Sequence, residues 1–367
     1  MRKLLWLCLI PGLSCFGAQS SYDAGTGVWT LFNSSIRATF QLTPDGYFLT
    51  RSIADVQTGD QWTAGADRPT SPVGIQVGNE VFDATRAFTL LDQFTQQLTP
   101  SGVRQFIVLQ DMKGLAQITV ILDVYDDQPV LRYSVRYRNL TASTVRVNGW
   151  DMLPWTFSGS GQRYTAFRVN QWSVLSNEGD FEPLQTSVDP GGAPVEVYSG
   201  AHGQQCGWIA VRDTAMRGLF AGWEFDGRTK TTARQGNPDG YLQFASAVLD
   251  MNHPVEPLGD FTGPSAFLGL FHGDWDEAGY RTQRFVEGVL ARPVPDAKNF
   301  PYVSWDSWGY ETAIDEQTLR HNAQLAASLG VELFVVDLGW SRAIGDWHAD
   351  ESKFPHGLGA LSDYVHS

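Results

Sequence analysis

The feature that most constrains this chain is a period of two that recurs from about Gly27 to Phe271. Leu131, Tyr133, Val135 and Tyr137 alternate with Arg132, Ser134, Arg136 and Arg138, and Ile36, Ala38, Phe40 and Leu42 are likewise spaced by polar residues. Successive side chains of a strand point to opposite faces, so such a pattern buries one face and wets the other. Antiparallel sheets take that arrangement, whereas all-parallel sheets are covered on both sides. Ile118 to Tyr125 and Trp208 to Val211 read as further strands, and Pro44-Asp45-Gly46 and Pro238-Asp239-Gly240-Tyr241 supply turns. The expected fold over residues 21–275 is a large antiparallel β-supersandwich.

The period then changes. Phe285, Val286, Val289 and Leu290 fall at helical spacing within Asp276 to Ala291, and Pro293 and Pro295 stop that helix. Residues 276–298 are read as a helical linker. From 299 to 367 the pattern becomes β, α, β. Phe300 to Asp306 is a short strand, and Thr312-x-x-Asp315 has the form of a capping box. Leu319, Ala323, Ala326 and Leu329 line one helical face, with Gly330 as the stop. Leu333 to Val336 runs apolar without alternation, as a parallel strand buried on both faces does. Phe354 to Val365 begins another helix, with Leu358, Leu361 and Val365 inward. The whole is a multidomain β plus α/β protein, ending in the first βαβ units of an incomplete (β/α)8 TIM barrel.

Residues 1–20 have the layout of an export signal. Arg2 and Lys3 precede an apolar stretch, Leu4 to Leu13, and small residues follow it. The expected location is periplasmic or extracellular, with no membrane span. Loss of that leader removes Cys8 and Cys15 and leaves Cys206 alone, so no internal disulfide is expected. Acidic residues outnumber Lys and Arg by 40 to 26, which argues against nucleic acid and anionic membranes as partners. No His-x-His, His-Glu-x-x-His, Gly-x-Ser-x-Gly or glycine-rich phosphate loop is present, so neither a metal nor a cofactor is expected. The 13 tryptophans either fill the sandwich core or stack on sugars.

In parallel α/β folds ligands sit at the carboxyl ends of strands. Both strand ends here carry a carboxylate and indoles: Asp306 with Trp308, and Asp337 with Trp340 and Trp347. A carboxylate accepts hydrogen bonds from neighbouring sugar hydroxyls, and an indole covers the apolar C–H patch of a pyranose. Asp337 with Trp308 or Trp347 can clamp a monosaccharide. Equally, Asp337 can cap the next segment while the tryptophans seal a barrel top. Of the two Gly-Asp-Trp triplets, the first, Gly273 to Trp275, reads as packing for the linker helix.

Four motifs then act as a set: Trp305-Asp306-Ser307-Trp308-Gly309-Tyr310, Val331 through Asp337-x-Gly339-Trp340, Gly345-Asp346-Trp347, and Phe354-Pro355-x-Gly357-Leu358. Together they resemble the start of the catalytic barrel of glycoside hydrolase family 36, the melibiase-type α-galactosidases, whose sandwich and linker helix come in this order. The resemblance implies retaining hydrolysis of terminal α-galactosides by a catalytic Asp pair on later strands, so no catalytic residue is expected within this chain. It implies an oligosaccharide or glycoside substrate touched by Asp337, Trp308, Trp340, Asp346 and Trp347, and it is compatible with a homo-oligomer at full length. The family's Asp pair after the second strand falls on Asp337 and Leu338, and Leu338 cannot accept a hydrogen bond. Two parallel strands cannot close an eight-stranded barrel, so a truncated product or incomplete gene model is expected. The competing expectation is a non-catalytic carbohydrate-binding sandwich.

Overall fold

The computed structural model describes residues 17–65, 67–99, 101–158, 163–171, 182–200, 205–237, 240–292, 298, 300 and 302–367. The leader up to residue 16, the Pro238-Asp239 half of the second turn, and Pro293 and Pro295 lie outside the described residues. The chain divides into two compact units, one ending at Leu290 and one beginning at Ala291.

The first unit is built from antiparallel sheets. Gln19–Asp23, Val28–Phe32, Ile36–Leu42, Phe48–Asp55 and Gln61–Thr63 form a five-stranded meander. Ala18 already donates its N–H to Asp126 Oδ1 at 2.7 Å, so cleavage after Ser20 would cut into the first of these strands. A ten-stranded sheet runs from Pro183–Val188 at one edge to Phe88–Gln97 at the other, with Ser265–His272 and Val130–Asn139 adjacent at its centre. Two four-stranded sheets complete the unit. One hydrophobic core joins them, drawing Trp29 and Phe40 from the meander, Ile107 and Tyr137 from the large sheet, and Trp150 and Phe244 from the small ones.

The alternation is reproduced in several strands, whereas Ala116–Val124, Arg217–Glu224 and Ser265–His272 are buried at nearly every position. Val103–Asp111 is buried at every second position, and Leu131, Tyr133, Val135 and Tyr137 all face the core. The opposite face of the large sheet is apolar where Val130, Ala210, Phe220, Phe267 and Phe271 form a second cluster, and polar around Arg104, Asp123 and Arg132. There Arg104 makes a two-pronged ion pair with Asp123, and Arg132 bridges Asp123 and Glu224. Some buried polar groups are satisfied by one another. Trp155 Nε1 donates to the Tyr133 hydroxyl at 2.5 Å, and that hydroxyl donates in turn to the Met152 carbonyl. Asn33 and Asn139 act as staples. Asn33 Nδ2 donates to the carbonyls of Tyr125 and Gln128 while its Oδ1 accepts from Ile36 N. Asn139 Nδ2 donates to the carbonyls of Ser143 and Val255. In the Pro44-Asp45-Gly46 turn, Gly46 has φ +89°, and a Cβ there would lie 2.7 Å from the Phe88 carbonyl oxygen, so the turn demands glycine.

Helix α1, Trp275–Phe285, is packed into this unit. Asp274 caps it by accepting from Glu277 N. Trp275 stacks on Phe167 beneath the Arg212 guanidinium, and Phe285 is fully buried beside Tyr125 and Phe267. The helix expected to run to Ala291 widens into a π turn over Val286–Leu290, a change of winding that an apolar period does not encode.

In the second unit Ser304–Asp306 pairs in parallel with Leu333–Val335, bringing Trp305 beside Phe334 and Asp306 beside Val335. Helices α2, Glu316–Ser328, and α3, Gly357–Val365, belong to the same unit. Ile314, Leu319, Phe354 and Leu361 form its small core. Three local expectations are corrected. The second strand is not buried on both faces: Leu333 is exposed and Val335 half-buried, because the core lies on one side of a two-stranded sheet. Thr312 is not the cap of α2. Asp315 is, accepting from Thr318 N at 2.7 Å, so the capping pair sits three residues further on. Leu329 is exposed because it stands at the C-cap, beyond the last full turn, with Gly330 in the left-handed region after it.

Candidate functional site

The site is assembled where the two parallel strands end. Each strand delivers an aspartate, and the two are used differently. Asp306 caps the short 3-10 turn Ser307–Tyr310, its carboxylate accepting from Trp308 N at 2.8 Å. Asp337 presents its backbone to the protein: its N–H donates to Ser307 Oγ at 2.8 Å, and Ser307 is wholly buried. The half-buried Asp337 carboxylate accepts no hydrogen bond and no ion pair among the described residues. It is therefore a fixed acceptor with unused capacity.

The indoles divide in the same way. Trp308 rides on the 3-10 turn, is 67% exposed and makes no aromatic contact among the described residues. Trp347 is 74% exposed and sits at φ +56° in a loop closed by the Ser341 and Ala349 bridge. Its ring lies 6.0 Å from that of Trp340. Trp340 is half-buried, packs against the small core and lines a cavity of about 370 Å³ with Phe334, Val336 and Leu358. Asp346 is engaged locally: His348 Nδ1 lies 2.5 Å from its Oδ1, and that contact holds the His348 imidazole above its ordinary pKa. Leu338, next to Asp337, is exposed.

Of the residues expected at the sugar, Trp340 and Trp347 are thus brought together, and Asp337 is tied to the turn that carries Trp308. Ser307 was missed by sequence reasoning. Its signal is a small hydroxyl residue directly after a strand end, between the two residues that attract notice. Among the described residues no group of three or more His, Cys, Asp or Glu side chains could hold a metal ion. No described helix is long and apolar enough to cross a membrane.

Residues 283–367 match the Melibiase family. The chain is 24% identical over 284 residues to alpha-galactosidase 2 of Pediococcus pentosaceus, covering 71% of this chain and 37% of that protein. Its fold matches that of the GH36 alpha-galactosidase AgaB from Geobacillus stearothermophilus with a TM-score of 0.75 at 15% identity, over 95% of this chain and 55% of that one. A variant of alpha-galactosidase AgaA from the same organism, solved in complex with raffinose, matches with a TM-score of 0.73 at 14% identity, over 92% of this chain and 55% of that one. The chain spans about a third of the length of the first curated relatives it matches. The chain is thus α-galactosidase-like: residues 283–367 match the Melibiase family, the fold is that of solved GH36 alpha-galactosidases, and the chain is shorter than those solved chains.

Proposed function

We propose that this chain is the N-terminal part of a secreted, retaining α-galactosidase-like hydrolase, and that it contributes the first wall of the sugar pocket. The observation that carries the reading is the contrast between the two strand-end aspartates: Asp306 is spent on its own turn, while the Asp337 carboxylate is held in place and left without a partner among the described residues. Asp337 accepts hydrogen bonds from two neighbouring hydroxyls of a terminal galactoside, and Trp308 covers the apolar face of the ring. Trp347, with Asp346 holding its loop, flanks the same sugar, and Trp340 backs Trp347. The substrate is an α-galactoside of the kind represented by raffinose, which is bound by the matching AgaA structure.

Retaining hydrolysis needs a nucleophilic carboxylate and an acid/base carboxylate roughly 5–5.5 Å apart. Neither role falls to a residue of this chain in our reading, so the chain by itself does not turn over substrate. Export follows from the Arg2-Lys3 start and the apolar stretch after it.

The test is titration of the purified chain with methyl α-D-galactopyranoside, alongside an aryl α-galactoside turnover assay. Saturable binding that Asp337→Asn weakens about tenfold or more, with no turnover, supports the reading. Binding that is indifferent to Asp337→Asn removes Asp337 from the sugar site. Turnover abolished by Asp337→Ala overturns the non-catalytic assignment.

A further inference from the structure

Lys353 is unusual in what it bonds. A lysine ammonium offers three donors and no acceptor, and near a protein surface it ordinarily meets a carboxylate. The half-buried Lys353 makes no ion pair among the described residues. Its Nζ donates instead to two backbone carbonyls, Thr312 at 2.8 Å and Gly339 at 3.0 Å. Those carbonyls belong to different loops. Thr312 lies in the loop after the first parallel strand, four residues beyond Trp308. Gly339 lies in the loop after the second, two residues beyond Asp337. The Lys353 carbonyl in turn accepts from Glu316 N, which anchors the lysine backbone to the start of α2.

Two further features place the junction under the same constraint. Gly339 has φ +98°, and a Cβ there would stand 2.6 Å from the Thr312 Cα, so the two loop backbones touch with no room between them. Glu311, the residue before Thr312, is held at φ +50°, and its N–H donates to the Trp308 carbonyl at 2.9 Å. A non-glycine residue in that region keeps its conformation only where surrounding contacts over-determine it.

We propose that Lys353 is a positioning residue that locks the first strand-end loop onto the second and so fixes the spacing between Trp308 and Asp337. The role rests on the sugar-site reading above, whereas the clasp itself does not. With the ammonium removed, the hydrogen bond from Asp337 N to Ser307 Oγ and the glycine contact are the links between the loops that remain among the described residues, and Trp308 gains freedom relative to the carboxylate.

The experiment compares the purified chain with Lys353→Met, which keeps the length and loses the donors, and Lys353→Arg, whose guanidinium can again span two carbonyls. Amide hydrogen exchange is followed by mass spectrometry, and the Trp308 indole N–H is observed by ¹⁵N NMR, assigned through Trp308→Phe. Lys353→Met is expected to speed exchange in residues 309–313 and 339–342 about tenfold and to broaden or split the Trp308 signal. Exchange in 319–326 of α2 should stay within about twofold, and Lys353→Arg should restore both readouts. Unchanged loop exchange in Lys353→Met, or an arginine variant no better than methionine, overturns the clasp. If Lys353→Met costs the unit its fold, Gly339→Ala loosens the same junction from the other side, and slow exchange there overturns the proposal equally. Addition of methyl α-D-galactopyranoside separates the two readings. If the wild-type Trp308 and Trp347 signals do not move, the sugar site and the positioning role fall together, while the exchange result still decides the clasp.

Discussion

The backbone N–H of Asp337 donates to the hydroxyl of Ser307 at 2.8 Å, so two parallel strand ends are joined through a side chain that has no exposed surface. The bond spends the Asp337 backbone and leaves its carboxylate without a partner among the described residues, whereas Asp306, at the matching end of the neighbouring strand, spends the carboxylate itself.

The two aspartates should therefore differ in what their removal costs. Asp306→Ala deletes a cap and should lower the stability of the C-terminal unit by about 0.5–2 kcal/mol. Asp337→Ala deletes a carboxylate with no described partner and should stay within about 0.5 kcal/mol of the parent. Urea unfolding of the two variants, followed by a probe in this unit, gives both values, and the opposite ranking would make Asp337 a structural cap.

Trp308 and Trp340 should separate in the same manner. Trp340 packs against Phe334, Val336 and Leu358, and Trp340→Ala should cost about 2–4 kcal/mol of unfolding free energy. Trp308 is largely exposed and has no aromatic neighbour among the described residues, so Trp308→Ala should leave the melt nearly unchanged while weakening binding of an α-galactoside. A Trp308→Ala protein that melts early and binds normally would contradict this assignment.

Asp151 makes stability depend on pH. Its Oδ1 accepts from Leu153 N and Ser246 N, and burial pushes its pKa up to about 6 despite those bonds. Its folded pKa thus lies above its unfolded value near 4, and between the two the folded state holds more protons. Stability from this group is present at low pH and is lost as pH rises through about 6. Allowing for the solvent that still reaches this residue, wild type should lose about 1–2 kcal/mol relative to Asp151→Asn between pH 3.5 and pH 7. Paired denaturation curves at the two pH values measure it, and a constant difference would show that the carboxylate does not titrate in that window.

Tyr133→Phe removes one oxygen from the middle of a buried relay. Trp155 Nε1 loses its acceptor and the Met152 carbonyl its donor, and all three residues are buried. The expected cost is about 2–4 kcal/mol, read from chemical denaturation of the sandwich. A loss below about 0.5 kcal/mol would mean that both groups find new partners.

The sandwich was legible because its signal is local. Each inward residue from Leu131 to Tyr137 announces itself through its polar neighbour, and the structure buries all four of the apolar ones. Which strand lies beside which was not legible. Val130–Asn139 pairs with Ser265–His272 across more than a hundred intervening residues, and no pattern within either strand names the other. At the candidate site the large residues were visible and their supports were not. Asp337, Trp308 and Trp347 draw attention by chemistry, but Ser307 and Lys353 act through a backbone N–H and through backbone carbonyls, groups that every residue carries and no sequence distinguishes. The α2 cap was misplaced by three residues because Thr312 and Asp315 are both good capping residues, and only the path of the chain through Glu311 decides between them.

The two stapling asparagines carry a consequence for how the protein can be made. Asn33-Ser34-Ser35 and Asn139-Leu140-Thr141 both have the form of an N-glycosylation acceptor. In the folded sandwich each acceptor nitrogen is buried and donates two hydrogen bonds to main-chain carbonyls. A glycan attached at either nitrogen would have to occupy the space that those carbonyls fill. In a host that glycosylates chains as they emerge, folding and modification therefore compete for the same two atoms, and a chain that is modified first cannot close its sandwich. A host without that pathway removes the contest, and the yield of folded protein in the two kinds of host becomes a measure of how quickly Asn33 and Asn139 are enclosed.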